Sequence, residues 1–183
     1  MRSSKRLMAV CGAMALAGCQ VRTMDGATNG FDTQLAFERL KTMAGTYDVE
    51  FPDVTDHSKV IWDNVSGGHA IVETLNVGTP DEMVSLYYLD GEDLAMTHYC
   101  GIGNRPLMRL DRARSTRDEY FFEFDRATTG IDPATDAHIH AAHFKFLAAD
   151  AVDVEWSFWD KGAEQHQKLF ELRKQPGKFT AGG

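Results

Sequence analysis

The sequence lacks the features that mark several classes of protein. No apolar run reaches the roughly 20 residues that a membrane-spanning helix needs, which excludes an integral membrane transporter. The 19 Lys and Arg residues are outnumbered by 27 Asp and Glu residues, so a chain of net charge −8 has no electrostatic attraction to nucleic acid. Gly-x-Ser-x-Gly and two-histidine zinc peptidase motifs are both missing, so hydrolase chemistry has no support. A single globular domain of 183 residues remains as the expectation.

The start of the chain has the composition of an export signal. Three basic residues within the first six precede the apolar run Leu7–Leu16, which is too short to span a membrane as a helix. The run ends in Leu16-Ala17-Gly18-Cys19, which resembles the lipobox of bacterial lipoproteins. The resemblance implies cleavage before Cys19 and a lipid on its thiol. Because Gln20 follows the cysteine, it also implies an outer-membrane lipoprotein that faces the periplasm of the cell envelope.

These features divide the chain into four parts. We expect a lipoprotein signal peptide over 1–18, a flexible tether over 19–32, one folded domain over 33–175 and a flexible tail over 176–183. Cys11 would leave with the signal and Cys19 would carry the lipid, so Cys100 has no partner for an intramolecular disulfide. In an oxidising compartment we expect Cys100 to be buried, metal-bound or otherwise protected.

Hydrophobic periodicity predicts one helix followed by a series of strands. Apolar residues at helical spacing indicate a helix from about Thr33 to Met43, and the period then changes to two. Because no second helical pattern follows, we expect an all-β protein, a single antiparallel up-and-down barrel of about 8–10 strands with a short N-terminal helix. A two-sheet sandwich is the alternative. The predicted strands are Tyr47–Phe51, Ser58–Asp63, Ala70–Val77, Met83–Leu89, Leu94–Cys100, Leu107–Leu110, Tyr120–Phe124, Ala137–Leu147, Val152–Trp159 and Gln167–Leu172.

Several short motifs lie in the middle of the chain. They are Glu82-Met83-Val84, Tyr87-Tyr88-Leu89-Asp90-Gly91, Thr97-His98-Tyr99-Cys100, Gly103-Asn104 and the later His138-Ile139-His140. Over Phe37 to Trp159 the chain resembles an uncharacterised family of bacterial lipocalin-like proteins. The resemblance implies a calycin-type barrel with an internal cavity and brings no established activity. The family commonly has Gln where this chain has Arg105.

Strand alternation predicts which polar side chains face the interior. His98 and Cys100 share parity with the apolar residues Leu94 and Met96, and regular alternation turns them to one face. The same argument groups His138 and His140 with Phe144 and Phe146, and it turns His143 to solvent. Glu73 shares parity with Ile71 and Leu75, although Ala70 and Val72 fit the interior equally well. If Glu73 faces inward, Arg105 or Arg109 could supply the opposite charge.

Two functions remain open at the level of sequence. In the first, a lipid-anchored protein binds a small apolar or amphipathic molecule in its barrel, and the residues that contact it are Glu73, His98, Cys100, Asn104, His138, His140 and Trp156. In the second, a metal- or haem-binding protein or enzyme uses the cluster His98, Cys100, His138 and His140. The simpler interpretation is that these histidines are core residues held only by hydrogen bonds. Ligand, cofactor and any catalytic activity are not specified by the sequence.

Overall fold

The fold is taken from a computed structural model that describes residues 30–50 and 58–176. The expected signal peptide, Cys19 and most of the expected tether lie outside the described residues, as does the tail beyond Pro176. Among the helices in the described part of the chain, none combines the length and apolar character needed to cross a membrane.

One helix of nine residues precedes the strands. Helix α1 spans Thr33–Lys41, slightly shorter than predicted, and the Asp32 carboxylate caps it by accepting hydrogen bonds from the first free backbone N–H groups. The helix buries its own side chains Ala36, Phe37 and Leu40. Leu35 belongs to the apolar residues at helical spacing from which the helix was predicted, but it is 67% exposed because it lies on the side turned away from the barrel.

Ten antiparallel strands follow the helix, and each corresponds to a predicted strand. In chain order they are β1 (Gly45–Glu50), β2 (Lys59–Val65), β3 (Ala70–Leu75), β4 (Met83–Asp90), β5 (Asp93–Tyr99), β6 (Leu107–Leu110), β7 (Glu119–Phe124), β8 (His138–Ala148), β9 (Ala151–Asp160) and β10 (Ala163–Lys174). Two short elements were not predicted: a 3-10 turn at Ser66–Gly68 and helix α2 over Arg126–Thr129.

The strands close into a barrel. Each strand pairs with its neighbours in sequence, and β1 pairs with both β2 and β10, so the ring has no free edge. Closure removes the exposed backbone groups that an open ten-stranded meander would leave at its two ends. The expected all-β up-and-down barrel is therefore confirmed in preference to the sandwich. Its architecture is compatible with a calycin-like fold.

Helix α1 covers one end of the barrel. The Thr33 hydroxyl donates to the carbonyl of Glu92 in the β4–β5 turn, and the Asn64 side chain donates to the Lys41 carbonyl at the end of the helix. In an up-and-down barrel alternate turns lie at the same end. Because the β4–β5 turn lies beside α1, the β3–β4, β5–β6, β7–β8 and β9–β10 connections lie at the end opposite α1.

The interior between the two ends is filled largely by aromatic rings. Trp62 stacks on Tyr87 with centroids 5.0 Å apart, and Phe144 meets both rings edge to face. Phe122 packs edge to face against Tyr87 and Phe144. These side chains are fully buried, so the middle of the barrel is a packed core.

Candidate functional site

A row of polar side chains crosses the inner wall of the barrel. Trp62, Glu73, Ser85 and His98 are direct partners on the neighbouring strands β2, β3, β4 and β5. Directly paired residues point to the same face of a sheet, and all four are at most 1% exposed. The strand register therefore places an acid, a hydroxyl and an imidazole side by side inside a mostly apolar barrel.

Glu73 lies in this row and faces the interior. Its Oε2 accepts a 2.7 Å hydrogen bond from the Tyr87 hydroxyl, while Oε1 has no hydrogen-bond partner among the described residues. Burial raises the pKa of Glu73 from 4.5 to about 7, and the hydrogen bond from Tyr87 opposes this increase. The carboxyl group is therefore poised between its neutral and charged forms near neutral pH.

The arginines suggested as partners of Glu73 lie elsewhere. Arg109 binds the carboxylates of Asp90, Asp93 and Asp125, with nitrogen–oxygen distances of 2.8, 3.5 and 2.7 Å. Arg105 is exposed in the β5–β6 connection. The expected charge compensation of Glu73 by either arginine is therefore wrong. Arg109 alternates with the buried residues Met108 and Leu110, which turns it to the outer face of the sheet.

His98 is a buried histidine on the inner face of β5. Its Nδ1 lies 3.0 Å from the Ser85 hydroxyl oxygen, and its ring lies against Trp156 with centroids 5.0 Å apart. Burial lowers the pKa of His98 from 6.5 to about 4, so the ring is neutral at pH 7. The Nε2 atom of His98 and the Nε1 atom of Trp156 are buried and have no partner within the described residues.

His98 and Trp156 line a cavity of about 160 Å³. The cavity lies toward the end of the barrel opposite α1, because its wall includes Asn76 and Met83 from the ends of the β3–β4 connection. Most of the remaining wall is apolar and includes Leu75, Ile139, Phe158 and Phe170. His166 and Lys168 from β10 also line it, and both residues are exposed. The cavity thus joins an apolar wall to a few polar groups, the usual composition of a small-molecule site.

His138 and His140 lie away from His98. A β-bulge between Ile139 and Ala141 inserts an extra residue into β8, so that His138 pairs with Trp159 and Ile139 pairs with Phe158. Ile139 consequently lines the cavity, whereas His140 stacks on Trp159 at 4.0 Å. Trp159 lies on the face of β9 opposite to Trp156. The expected alignment of both histidines with Phe144 is therefore wrong, because the bulge interrupts the alternation.

His138 and His140 are joined to each other by a hydrogen bond. Nδ1 of His138 lies 2.7 Å from the Asp136 carbonyl oxygen, and Nε2 of His138 lies 2.9 Å from Nδ1 of His140. A carbonyl oxygen can only accept, so Nδ1 of His138 carries a hydrogen, and in the neutral form of that ring Nε2 accepts from Nδ1 of His140. Nε2 of neutral His140 is then left as an acceptor. Burial is the main cause that lowers the pKa of His140.

Cys100 and Asn104 belong to the β5–β6 connection. Cys100 follows the last residue of β5, is partly buried and is a free thiol. The Cys100 backbone N–H donates to the Asn104 carbonyl, and the Asn104 side chain donates 2.6 Å to the carbonyl of Ala137. These bonds tie two connections together at the end of the barrel opposite α1. Neither residue lines the cavity beside His98.

The four residues of the metal hypothesis are not gathered around one point. The bulge at His140 and the end of β5 at Tyr99 are the physical reasons. Within residues 30–50 and 58–176 no group of three or more His, Cys, Asp and Glu side chains is arranged to hold a metal ion. His143 is partly exposed, stacks on Phe121 and lies 3.3 Å from the Glu119 carboxylate, on the outer face as predicted.

The structure thus brings two of the predicted site residues, His98 and Trp156, together at the cavity, places Glu73 in the same inner row as His98, and adds two residues that were not predicted. Ser85 on β4 is the direct strand partner of both Glu73 on β3 and His98 on β5. The Tyr87 hydroxyl donates a hydrogen bond to the Glu73 carboxyl group. Ser85 could have been found from its parity with Tyr87 on β4. A serine between apolar neighbours carries little information by itself, however, until the opposing residues are known.

No protein-family model matches the chain, and no curated protein matches it significantly in sequence. The resemblance based on the Thr97-His98-Tyr99-Cys100 motif therefore stays a prediction.

Proposed function

We propose that the protein is a lipid-anchored component of the bacterial cell envelope that binds a small apolar or amphipathic molecule in the cavity beside His98. The observation that carries the binding proposal is the pair of ring nitrogens on His98 and Trp156 that have no partner among the described residues and lie in the wall of a mostly apolar cavity. A buried polar atom without a partner costs about 1–3 kcal/mol. A ligand that supplies the missing hydrogen bonds recovers this free energy on binding.

The arrangement of the barrel supports the same function. Helix α1 covers one end, and the aromatic core fills the middle, so the cavity at the other end is where a molecule can enter without rearranging the core. Apolar side chains from β3, β8, β9 and β10 would contact the body of the ligand. The cavity of about 160 Å³ suits a small ligand. Pockets for drug-sized molecules occupy roughly 300–1,000 Å³.

Anchoring and location follow from the sequence features at the start of the chain. The lipobox-like Leu16-Ala17-Gly18-Cys19 supports a lipid on Cys19, and Gln20 supports the outer membrane, with the barrel in the periplasm. The resemblance to bacterial lipocalin-like proteins supports a barrel with an internal cavity. The membrane would be contacted through the lipid, and the small molecule would be bound by the barrel.

The test is native mass spectrometry of the protein purified from the envelope of its own bacterium. We expect an additional small-molecule mass on the wild type and on the His143→Ala variant, because His143 lies on the outer face. The His98→Ala variant should lose most of this mass. Melting curves of both variants identify molecules that are still folded. Equal occupancy in folded His98→Ala and His143→Ala protein, or no additional mass on the wild type, would contradict the proposal.

A further inference from the structure

The cavity beside His98 has five polar side chains in its wall, and three of them need nothing from a ligand. Asn76 is hydrogen-bonded within the protein through both its amide oxygen and its amide nitrogen. His166 and Lys168 are exposed, so water can reach their polar ends. The remaining two, His98 and Trp156, are buried and have ring nitrogens with no hydrogen-bond partner among the described residues. These two rings set the polar requirements for a ligand.

Trp156 sets the first requirement. Its side chain is 4% exposed, and the indole Nε1–H can only donate a hydrogen bond. The ligand must therefore bring an acceptor to this end of the cavity.

His98 sets the second requirement, which depends on where the single hydrogen of the Ser85 hydroxyl goes. The ring is neutral at pH 7, and its Nδ1 lies 3.0 Å from the Ser85 oxygen. Glu73 competes for the same hydrogen: burial raises the pKa of Glu73, and the hydroxyls of Tyr87 and Ser85 oppose this increase. If Ser85 donates to His98, Nε2 of His98 carries the ring hydrogen and is a donor. If Ser85 donates to Glu73, Nδ1 of His98 donates to Ser85, and Nε2 is an acceptor.

A hydroxyl group meets both requirements in either arrangement. Its oxygen accepts from Trp156, and the group either accepts from Nε2 of His98 or donates to it. A carboxylate or an ether has no hydrogen to donate, so it fits only one of the two arrangements. The hydroxyl group also needs a single heavy atom, which leaves the apolar volume of the cavity to the rest of the ligand.

The apolar part of the wall limits the size of the ligand. The cavity of about 160 Å³ is bounded by Leu75, Ile139, Phe158 and Phe170. An apolar cavity of about 150 Å³ is large enough for a benzene ring. A compact body of that size fills the space, and contacts with Ile139 and Phe158 replace the water around it.

We propose that the cavity binds a small neutral hydroxyl compound, a phenol or an alcohol with an apolar body about the size of a benzene ring. The hydroxyl oxygen accepts from Trp156, and the hydroxyl group completes the hydrogen bonding of His98. The body packs against Ile139 and Phe158. This inference rests on the proposed function and adds the polar group and the size of the ligand to it.

The experiment compares phenol with toluene, in which a methyl group replaces the hydroxyl group on the same ring. Both are titrated by calorimetry at pH 7 into the protein purified from its bacterial envelope in detergent, and titrations into detergent alone are subtracted. Phenol is neutral at this pH, because the pKa of a phenolic hydroxyl is about 10. Phenol should bind at least about tenfold more tightly than toluene, which corresponds to about 1.4 kcal/mol.

The Trp156→Phe variant removes the indole donor and keeps an aromatic ring. The ratio of phenol to toluene affinity should fall at least about fivefold in this variant, and toluene itself reports any change in the shape of the cavity. Trp159→Phe is the matched control on the same strand. Trp159 lies on the opposite face of β9 and donates to Ser157, so its loss should leave the ratio unchanged.

The outcomes separate the inference from the proposed function. Equal affinity for phenol and toluene, or a phenol preference that survives Trp156→Phe in folded protein, would overturn the hydroxyl compound and leave the binding function intact. Failure of both compounds to bind would also overturn the inference, and the native mass measurement then decides the function separately. Melting temperatures confirm that both tryptophan variants are folded before their affinities are compared.

Discussion

The Tyr87 hydroxyl donates a 2.7 Å hydrogen bond to Oε2 of Glu73 in the interior of the barrel. This bond satisfies one carboxyl oxygen and leaves Oε1 without a partner among the residues described. Because burial dominates, the pKa of Glu73 rises from 4.5 to about 7, and folding favours the protonated acid. The wild type therefore has the full benefit of protonated Glu73 below pH 4.5 and loses it as the pH rises through about 7.

The first prediction concerns Glu73→Gln. Glutamine keeps the shape and an acceptor for Tyr87 and has no ionisable proton. Relative to this variant, the wild type should lose about 3 kcal/mol of unfolding free energy between pH 4.5 and 7. Urea unfolding at a series of pH values measures the difference. A difference that stays constant over this range would mean that Glu73 ionises in the folded barrel as freely as it does in water.

His98 acts on the pH dependence in the opposite direction. Its pKa falls from 6.5 to about 4 on folding, so its contribution is present above pH 6.5 and is lost as the pH decreases toward 4. In the wild type the Glu73 and His98 contributions oppose each other between about pH 4.5 and 6.5. In Glu73→Gln the His98 contribution remains, and the stability of the variant should decrease visibly on acidification over that interval.

The second prediction concerns the aromatic core. Phe144 is fully buried and contacts Trp62, Tyr87 and Phe122. Phe144→Ala should lower the free energy of unfolding by about 3–5 kcal/mol, the usual cost of a large cavity. The adjacent Lys145 points to solvent, and Lys145→Ala should change stability by no more than about 0.5 kcal/mol. Denaturant unfolding of both variants gives the comparison, and similar losses would mean that the faces of β8 are reversed.

Much of this core follows from the sequence, because a period of two carries through each strand. All ten strands and the inward position of His98 were predicted in this way. His138 and His140 were misplaced, because one extra residue between Ile139 and Ala141 reverses the alternation without changing the composition of β8. Ser85, and the inward choice for Glu73, depend on which residues lie opposite on neighbouring strands. That information arises only when the barrel closes.

The third prediction concerns the membrane anchor. If Cys19 carries the lipid, the Cys19→Ser variant should be recovered in the soluble periplasmic fraction or as unprocessed precursor. Fractionation and the mass of the N-terminal peptide measure both effects. Cys100→Ser is the matched control and should leave processing and membrane association unchanged, because Cys100 lies in the β5–β6 connection of the barrel. Normal cleavage and unchanged membrane association of Cys19→Ser would contradict the lipoprotein assignment.

The binding account is tested most directly by the indole N–H resonances in a ¹H–¹⁵N correlation spectrum while ligand-free protein is titrated with the small molecule recovered from the purified wild type. The chain has three tryptophans: Trp156 lines the cavity, Trp62 lies in the packed core and the Trp159 indole donates to Ser157. Single Trp→Phe variants assign the three signals. The account predicts a saturable shift of the Trp156 signal, with Trp62 and Trp159 nearly unchanged. A Trp156 signal that the recovered molecule does not move, or a shift confined to Trp159, would contradict binding in this cavity.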